Sequence, residues 1–211
     1  MNIVDTIEGK DGYKIRICYD EDSEDPRTFF TNFGTFVLSH RKYSVANETD
    51  FKFQDYNGWE ALQKAVVKEH GPCVILPVFM YDHSGVALST VREGCFADQW
   101  DSGVLGFIFV SHKRIRDEFA LKHVSKKALA KSREILVSEV ELYGYYLNGE
   151  VYCYDILDEA GNETGTSGMG FFGYDHDKNG LKEAALESID EVIASASIKE
   201  PVDAEQMVLV L

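Results

Sequence analysis

No run in this chain of 211 residues approaches the ~18 apolar residues that a membrane-spanning helix requires. The opening residues, Met1-Asn-Ile-Val-Asp-Thr-Ile-Glu8, lack both the basic stretch and the apolar core of a secretory signal. Cysteine is sparse. The four at positions 18, 73, 95 and 153 never fall in a C-x-x-C spacing, which argues against a structural zinc framework. Cys18, Cys73 and Cys153 sit in apolar runs, where a free thiol behaves as a small hydrophobe. These absences predict a reduced, cytoplasmic protein with no membrane contact, no metal and no cofactor.

Positive charge is also short. Lys and Arg number 21 against 36 Asp and Glu, a net charge of −15. The deficit is uneven: residues 111–133 hold eight Lys/Arg against Asp117 and Glu118, a local +6 that leaves −21 elsewhere. Phosphate contacts need a basic footprint, so direct nucleic-acid binding is not expected. An acidic surface offered to a basic protein partner is allowed. The chain has neither an internal repeat nor a dividing linker. It reads as a single α+β domain over 1–198 with a C-terminal tail at 199–211, whose end, Met207-Val-Leu-Val-Leu211, suits an edge strand or a docking segment.

Apolar residues make up 45% of the chain, enough for a sizeable core. Tyr13–Tyr19 alternates apolar and polar residues and predicts a strand. The acidic turn at 20–25 follows, where closely spaced carboxylates suit a solvated loop better than a Ca²⁺ site. A second strand, Gly34–Ser39, delivers His40-Arg41-Lys42-Tyr43 at its end. Asn57 is placed to cap a helix that Gly71-Pro72 stops, with Trp59, Leu62 and Val66 inward. Ser111 and Ser125 are N-cap candidates for two more helices, the second reaching about Leu147. In that long helix Leu129, Leu136, Val140, Tyr143 and Leu147 form one stripe. A hairpin over 150–173 and an amphipathic helix over 180–196 complete the pattern. The predicted architecture is one mixed, mostly antiparallel sheet, covered on one face by the long helix and two or three shorter ones.

Two candidate motifs fail on context. Gly168-Met-Gly170-Phe-Phe-Gly173 matches G-x-G-x-x-G, but no βαβ unit follows to present a ribose-binding acid. Its glycines are expected to let the strand lie close against the long helix. Asp175-His-Asp177-Lys-Asn179-Gly180 opens like a calcium loop, yet the twelfth position is Leu186 where a bidentate acid is needed. Asp177 or Asn179 is the expected cap of the helix that follows.

The centre of interest lies between Cys73 and Val110. Two apolar runs, Cys73–Tyr81 and Val104–Val110, bracket two polar words, Asp82-His83-Ser84-Gly85 and Trp100-Asp101-Ser102-Gly103. Pro77 marks an edge position or a bulge, and Gly106 a bulge or a close backbone approach. Neighbouring side chains in extended backbone diverge, so Asp82, His83 and Ser84 cannot form a triad among themselves. They become a site only with His40, Arg41, Asp101 and Ser102 brought alongside. In a simple meander the two words lie a strand length apart, roughly 15–20 Å, and are turns. If the loop through Cys95 crosses back, both aspartates share one rim.

These residues also carry a resemblance. Asp25-Pro-Arg27, Gly34-Thr35, His40-Arg-Lys-Tyr43, Tyr81-Asp-His-Ser-Gly85, Trp100-Asp-Ser-Gly103, Gly106-Phe-Ile-Phe109 and Gly170-Phe-Phe-Gly173 together resemble a family of small acidic proteins of bacteriophages and bacterial mobile elements. The likeness spans about Tyr13 to Ser195. That family brings no activity with it, so it assigns no catalytic residue. It implies an accessory role.

Three functions follow as expectations. The first is a non-enzymatic phage or mobile-element factor that binds and modulates a host or defence-system component, a protein with a basic surface. The second is a small hydrolase or nucleotide-processing enzyme. Its candidate residues are His40, Arg41, Asp82, His83, Ser84, Asp101 and Ser102, with the histidines as acid/base and Arg41 as an anion clamp. The third is capture of a small anionic nucleotide signal by Arg41 and the basic helices. Self-association into a homo-oligomer stays open.

Overall fold

The computed structural model describes residues 2–199, so the tail from 200 to 211 and its proposed edge strand lie outside the described residues. The fold is α+β, with all strand pairs antiparallel. The eight strands form two four-stranded sheets where the sequence suggested one. The described chain gathers into two compact units, one of residues 24–148 and the other of the flanking segments. Among the described residues no helix is long and apolar enough to cross a membrane.

The flanking unit holds β1 (Ile3–Glu8), β2 (Lys14–Tyr19), β7 (Val151–Leu157), β8 (Glu163–Phe172) and α5 (Leu181–Lys199), with sheet order β1-β2-β7-β8. The strand at Tyr13–Tyr19, the hairpin and the last helix are where periodicity put them; β1 was not read from the sequence. Ile15, Ile17, Tyr152, Tyr154 and Ile156 bury one sheet face under Leu181, Ala185 and Ile189 of α5. Asn179 caps that helix, its Oδ1 accepting the Leu181 N–H at 3.0 Å. The glycines of β8 serve the hairpin. Tyr154 lies opposite Gly168, where a Cβ would come within 2.5 Å of the Tyr154 ring, so the close neighbour is that ring.

The central unit carries β3 (Thr35–Leu38), β4 (Cys73–Asp82), β5 (Val86–Ser89) and β6 (Ser102–Ser111) in the order β3-β6-β4-β5. Its helices are α1 (Pro26–Phe29), α2 (Trp59–His70), α3 (His112–Glu118) and α4 (Lys126–Leu147). Six consecutive residues of β6, Leu105–Val110, are buried, because the sheet is covered on both faces and not on one. On one face Phe36, Leu38, Val78 and Ile108 pack with Leu136, Val140 and Tyr143 of α4. On the other, Val37, Phe107 and Phe109 pack with Leu62 and Val66 of α2.

Ser111 and Ser125 cap α3 and α4, accepting the N–H of Arg114 and Ala128. Asn57 does not cap α2. That helix starts after Gly58, whose φ of 87° turns the chain in without a side-chain bond. Small residues widen the α4 stripe: Ala128, Ser132 and Gly144 are buried beside the large ones. Pro77 is exposed on the stretch of β4 that β5 does not cover, so its missing N–H costs no ladder bond on that side.

One charged residue is buried among these elements. Arg27 donates to Glu48 through Nε and Nη2 at 2.9 Å each, to Glu139 at 3.0 Å, to Asn32 at 2.9 Å and to the Gly34 carbonyl at 2.8 Å. Its guanidinium lies 4.4 Å from the Phe36 ring centroid. All five donors of the fork fit such a set, which is what a buried charge requires. The same carboxylates accept backbone N–H groups of Phe33, Gly34 and Phe36, so the network fixes the entry into β3.

Candidate functional site

Both β3 and β4 run antiparallel to β6. Their C-terminal ends therefore emerge together, at the end of the sheet where β6 begins. The segment 90–101 makes this possible by returning past β5 to β6, which pairs with β4 on its other side. Tyr81 lies opposite Ser102, and the Asp82 N–H donates to the Asp101 carbonyl at 2.8 Å. The two polar words share one rim.

A cleft of about 890 Å³ opens along that rim. His40, Arg41, Lys42, Asp82, Asp101 and Ser102 line it, with Phe53, Trp59, Met80 and Trp100. Five of the seven residues singled out from the sequence thus meet in one place. His83 stands on the rim outside the lining, its Nδ1 3.0 Å from Asp101 Oδ2. Ser84 is a turn residue at φ 57° between β4 and β5 and does not line the cleft.

The bonds within the rim define what each group can still do. His40 Nδ1 accepts the backbone N–H groups of Lys42 and Tyr43 at 3.2 Å each, so the neutral ring carries its proton on Nε2. Its ring stacks on Tyr43 with centroids 5.0 Å apart. The Tyr43 hydroxyl donates to Asp82 Oδ1 at 2.9 Å, and this bond pushes the phenol pKa up. Lys42 Nζ stands 3.9 Å from the other oxygen of Asp82. Ser102 Oγ donates to the carbonyls of Phe96 and Asp98, which ties down the 3-10 turn Gly94–Ala97. Asp98 Oδ1 accepts the N–H groups of Asp101 at 2.9 Å and Trp100 at 2.7 Å. These bonds hold the Asp98 carboxyl below its usual range.

Two lining groups have no such role. Arg41 forms no ion pair among the described residues, and Trp100 is 93% exposed at the cleft mouth. An indole that open gains nothing from the core. Trp59 and Phe53 lie deeper, their rings 4.2 Å apart. Lys42, Tyr43, Asp98 and the aromatics were not read as site residues, although Lys42 and Tyr43 adjoin His40-Arg41 and Trp100 adjoins Asp101. Among the described residues no group of three or more His, Cys, Asp or Glu is gathered to hold a metal ion.

Comparison with protein-family models, with curated proteins and with solved structures finds no match.

Proposed function

We propose that this protein acts by binding: an acidic accessory factor of a bacteriophage or mobile element that engages a host or defence-system component and catalyses no reaction of its own. One observation supports this reading. Ser102 and His40 are engaged in shaping the rim, whereas the side chains of Arg41 and Trp100 remain open as recognition groups. The Ser102 proton is committed to backbone carbonyls and His40 Nδ1 to backbone N–H groups. Arg41 and Trp100 stay available, and Arg and Trp are the side chains that most often anchor binding. The −21 outside residues 111–133 adds attraction for a basic protein surface.

The experiment is retention on immobilised full-length protein from host lysate, comparing the native chain with Arg41→Ala/Trp100→Ala. A stoichiometric companion, protein or small molecule, held at low salt and lost with the double variant supports the reading. Retention of nothing, or of a companion that the double variant keeps equally well, overturns it.

A second reading is favoured by His83 and Asp101. A carboxylate 3.0 Å from Nδ1 fixes the tautomer that leaves the Nε2 lone pair free as a general base. Asp82 and Arg41 line the cleft beside it, which suits a small hydrolase or nucleotide-processing enzyme. Turnover of chromogenic ester and phosphodiester substrates that disappears in His83→Asn would establish it. Turnover by neither protein, or equally by both, would end it.

A further inference from the structure

We infer that the rim cleft takes a nucleoside phosphate, an inference that rests on the reading of the protein as a binder and names the ligand class of that same site. The turn after β3 brings three donor side chains to the lining. His40 has its Nδ1 occupied by two backbone N–H groups, so Nε2–H is its donor; Arg41 and Lys42 follow it in sequence and have no acceptor atoms, with Lys42 Nζ 3.9 Å from Asp82. Beside these donors the lining carries two carboxylates. Asp82 and Asp101 are adjacent through the 2.8 Å backbone bond, and after the contacts of Asp82 with Tyr43 and Lys42 and of Asp101 with His83 each carboxylate keeps lone pairs to spare. At the mouth an indole with 93% of its surface exposed offers a flat apolar face.

A matching ligand must therefore carry an acceptor-rich anionic end, hydroxyl or amino donors for the carboxylates, and a planar ring. A nucleoside phosphate has all three in the right sequence: phosphoryl oxygens for Arg41, Lys42 and His40, sugar hydroxyls and exocyclic amines for the aspartates, and a base to stack on Trp100. Arg suits the phosphoryl group because its fork binds two oxygens at once, and stacking on Trp is available to every base. A simple anion would leave the aspartates facing it unfavourably, and an uncharged aromatic would leave Arg41 without a partner. The volume, about 890 Å³, lies within the range of small-molecule sites, ~300–1,000 Å³. The acidic remainder of the chain does not oppose this, because a mononucleotide needs only the local donors, unlike a polymer with its many phosphates.

The test uses the full chain and four commercial nucleotides, AMP, GMP, ATP and GTP, with adenosine, guanosine, ribose 5-phosphate and inorganic phosphate as partial ligands. Binding is read by quenching of tryptophan fluorescence and by the rise in melting temperature. The expected result is saturable binding of at least one nucleotide, with its nucleoside and its sugar phosphate each weaker by about tenfold or more. Arg41→Ala and Trp100→Ala should each lower affinity by a similar factor, and Trp100→Phe should restore part of it. Both side chains are exposed at the rim, so the melting temperature without ligand serves as the control for folding. Absence of nucleotide binding overturns the inference. So does inorganic phosphate that binds as well as any nucleotide, or binding that survives both alanine variants. Lysate retention that depends on Arg41 and Trp100, with no nucleotide bound, would remove the ligand class and leave the binding function standing. Nucleotide bound and converted to product would do the reverse.

Discussion

The Asp82 N–H donates to the Asp101 carbonyl across 2.8 Å. This bond joins two polar words that β5 and the 90–101 segment separate along the chain, and it turns both from loop tips into one rim. Its partner segment is held by Asp98, whose carboxylate gathers the N–H groups of Asp101 and Trp100. Asp98→Ala should therefore free Trp100 and Asp101 together, lowering tryptophan anisotropy while leaving helix content unchanged. The pH dependence has a defined sign. Since those N–H groups depress the Asp98 pKa, the order that it confers is complete above the ordinary carboxylate value of ~3.9 and is lost as pH falls through the lower folded value. Asp98→Asn keeps an acceptor and should retain part of the effect. Anisotropy equal to that of the native chain in Asp98→Ala would refute this role.

Arg27 predicts a much larger effect on stability than any rim residue. It is buried between Glu48 and Glu139, and removing one partner of such a set leaves uncompensated buried charge. Arg27→Met should cost about 3–5 kcal/mol, read as a lower denaturant midpoint with an unchanged slope. Adding Glu48→Gln should recover part of the loss, since it removes one of the stranded carboxylates. A loss under about 1 kcal/mol for the single variant would mean that water reaches the network.

Much of this was readable in the sequence, and what was not has identifiable causes. Periodicity located the long helix because Leu136, Val140 and Tyr143 repeat on one face, and hydroxyl residues marked two helix starts because Ser111 and Ser125 do accept the first orphan N–H groups. Partition into two sheets was not readable. Strand pairing is a long-range relation, and Cys18 lies opposite Cys153 with no local signal to announce it. The second covered face was hidden for a related reason: a run such as Leu105–Val110 is apolar throughout whether it is a doubly covered strand or a core helix segment. The site residues were legible as residue types. Their convergence depended on the return of the 90–101 loop, which the sequence left open between two outcomes.

Alkaline pH should unfold the protein through its tyrosines. Burial pushes both Tyr143 and Tyr152 up to about 12, against an ordinary phenol near ~10. Each group thus ionises later in the folded than in the unfolded state. The stability it contributes is complete below pH ~10 and is lost as pH rises through the folded value. Spectrophotometric titration should show most of the eleven tyrosines ionising first and a late fraction appearing with loss of the near-ultraviolet circular dichroism. Tyr143→Phe should remove part of the late amplitude. Ionisation of all tyrosines in one early step, with the fold intact, would contradict the burial.

Gly106 links the core to the rim. Its φ is 153°, and a Cβ there would lie 2.1 Å from the Val37 carbonyl oxygen on β3. The register between β4 and β6 also shifts here, from Val78 opposite Gly106 to Phe79 opposite Val104, so one extra residue bends β6 just before it reaches the cleft. Gly106→Ala must push β3 away or straighten β6. Because the obstacle is backbone and not a side chain that can swing aside, the cost should exceed about 2 kcal/mol. The damage should also reach Leu38, opposite Gly106 in register, and through it the turn that carries His40 and Arg41. Two measurements check this together: a lower denaturant midpoint, and faster amide hydrogen exchange at Ser39, whose N–H donates to the Leu105 carbonyl at 3.0 Å. A stable variant with Ser39 still protected would show that β3 and the rim are not coupled through this glycine.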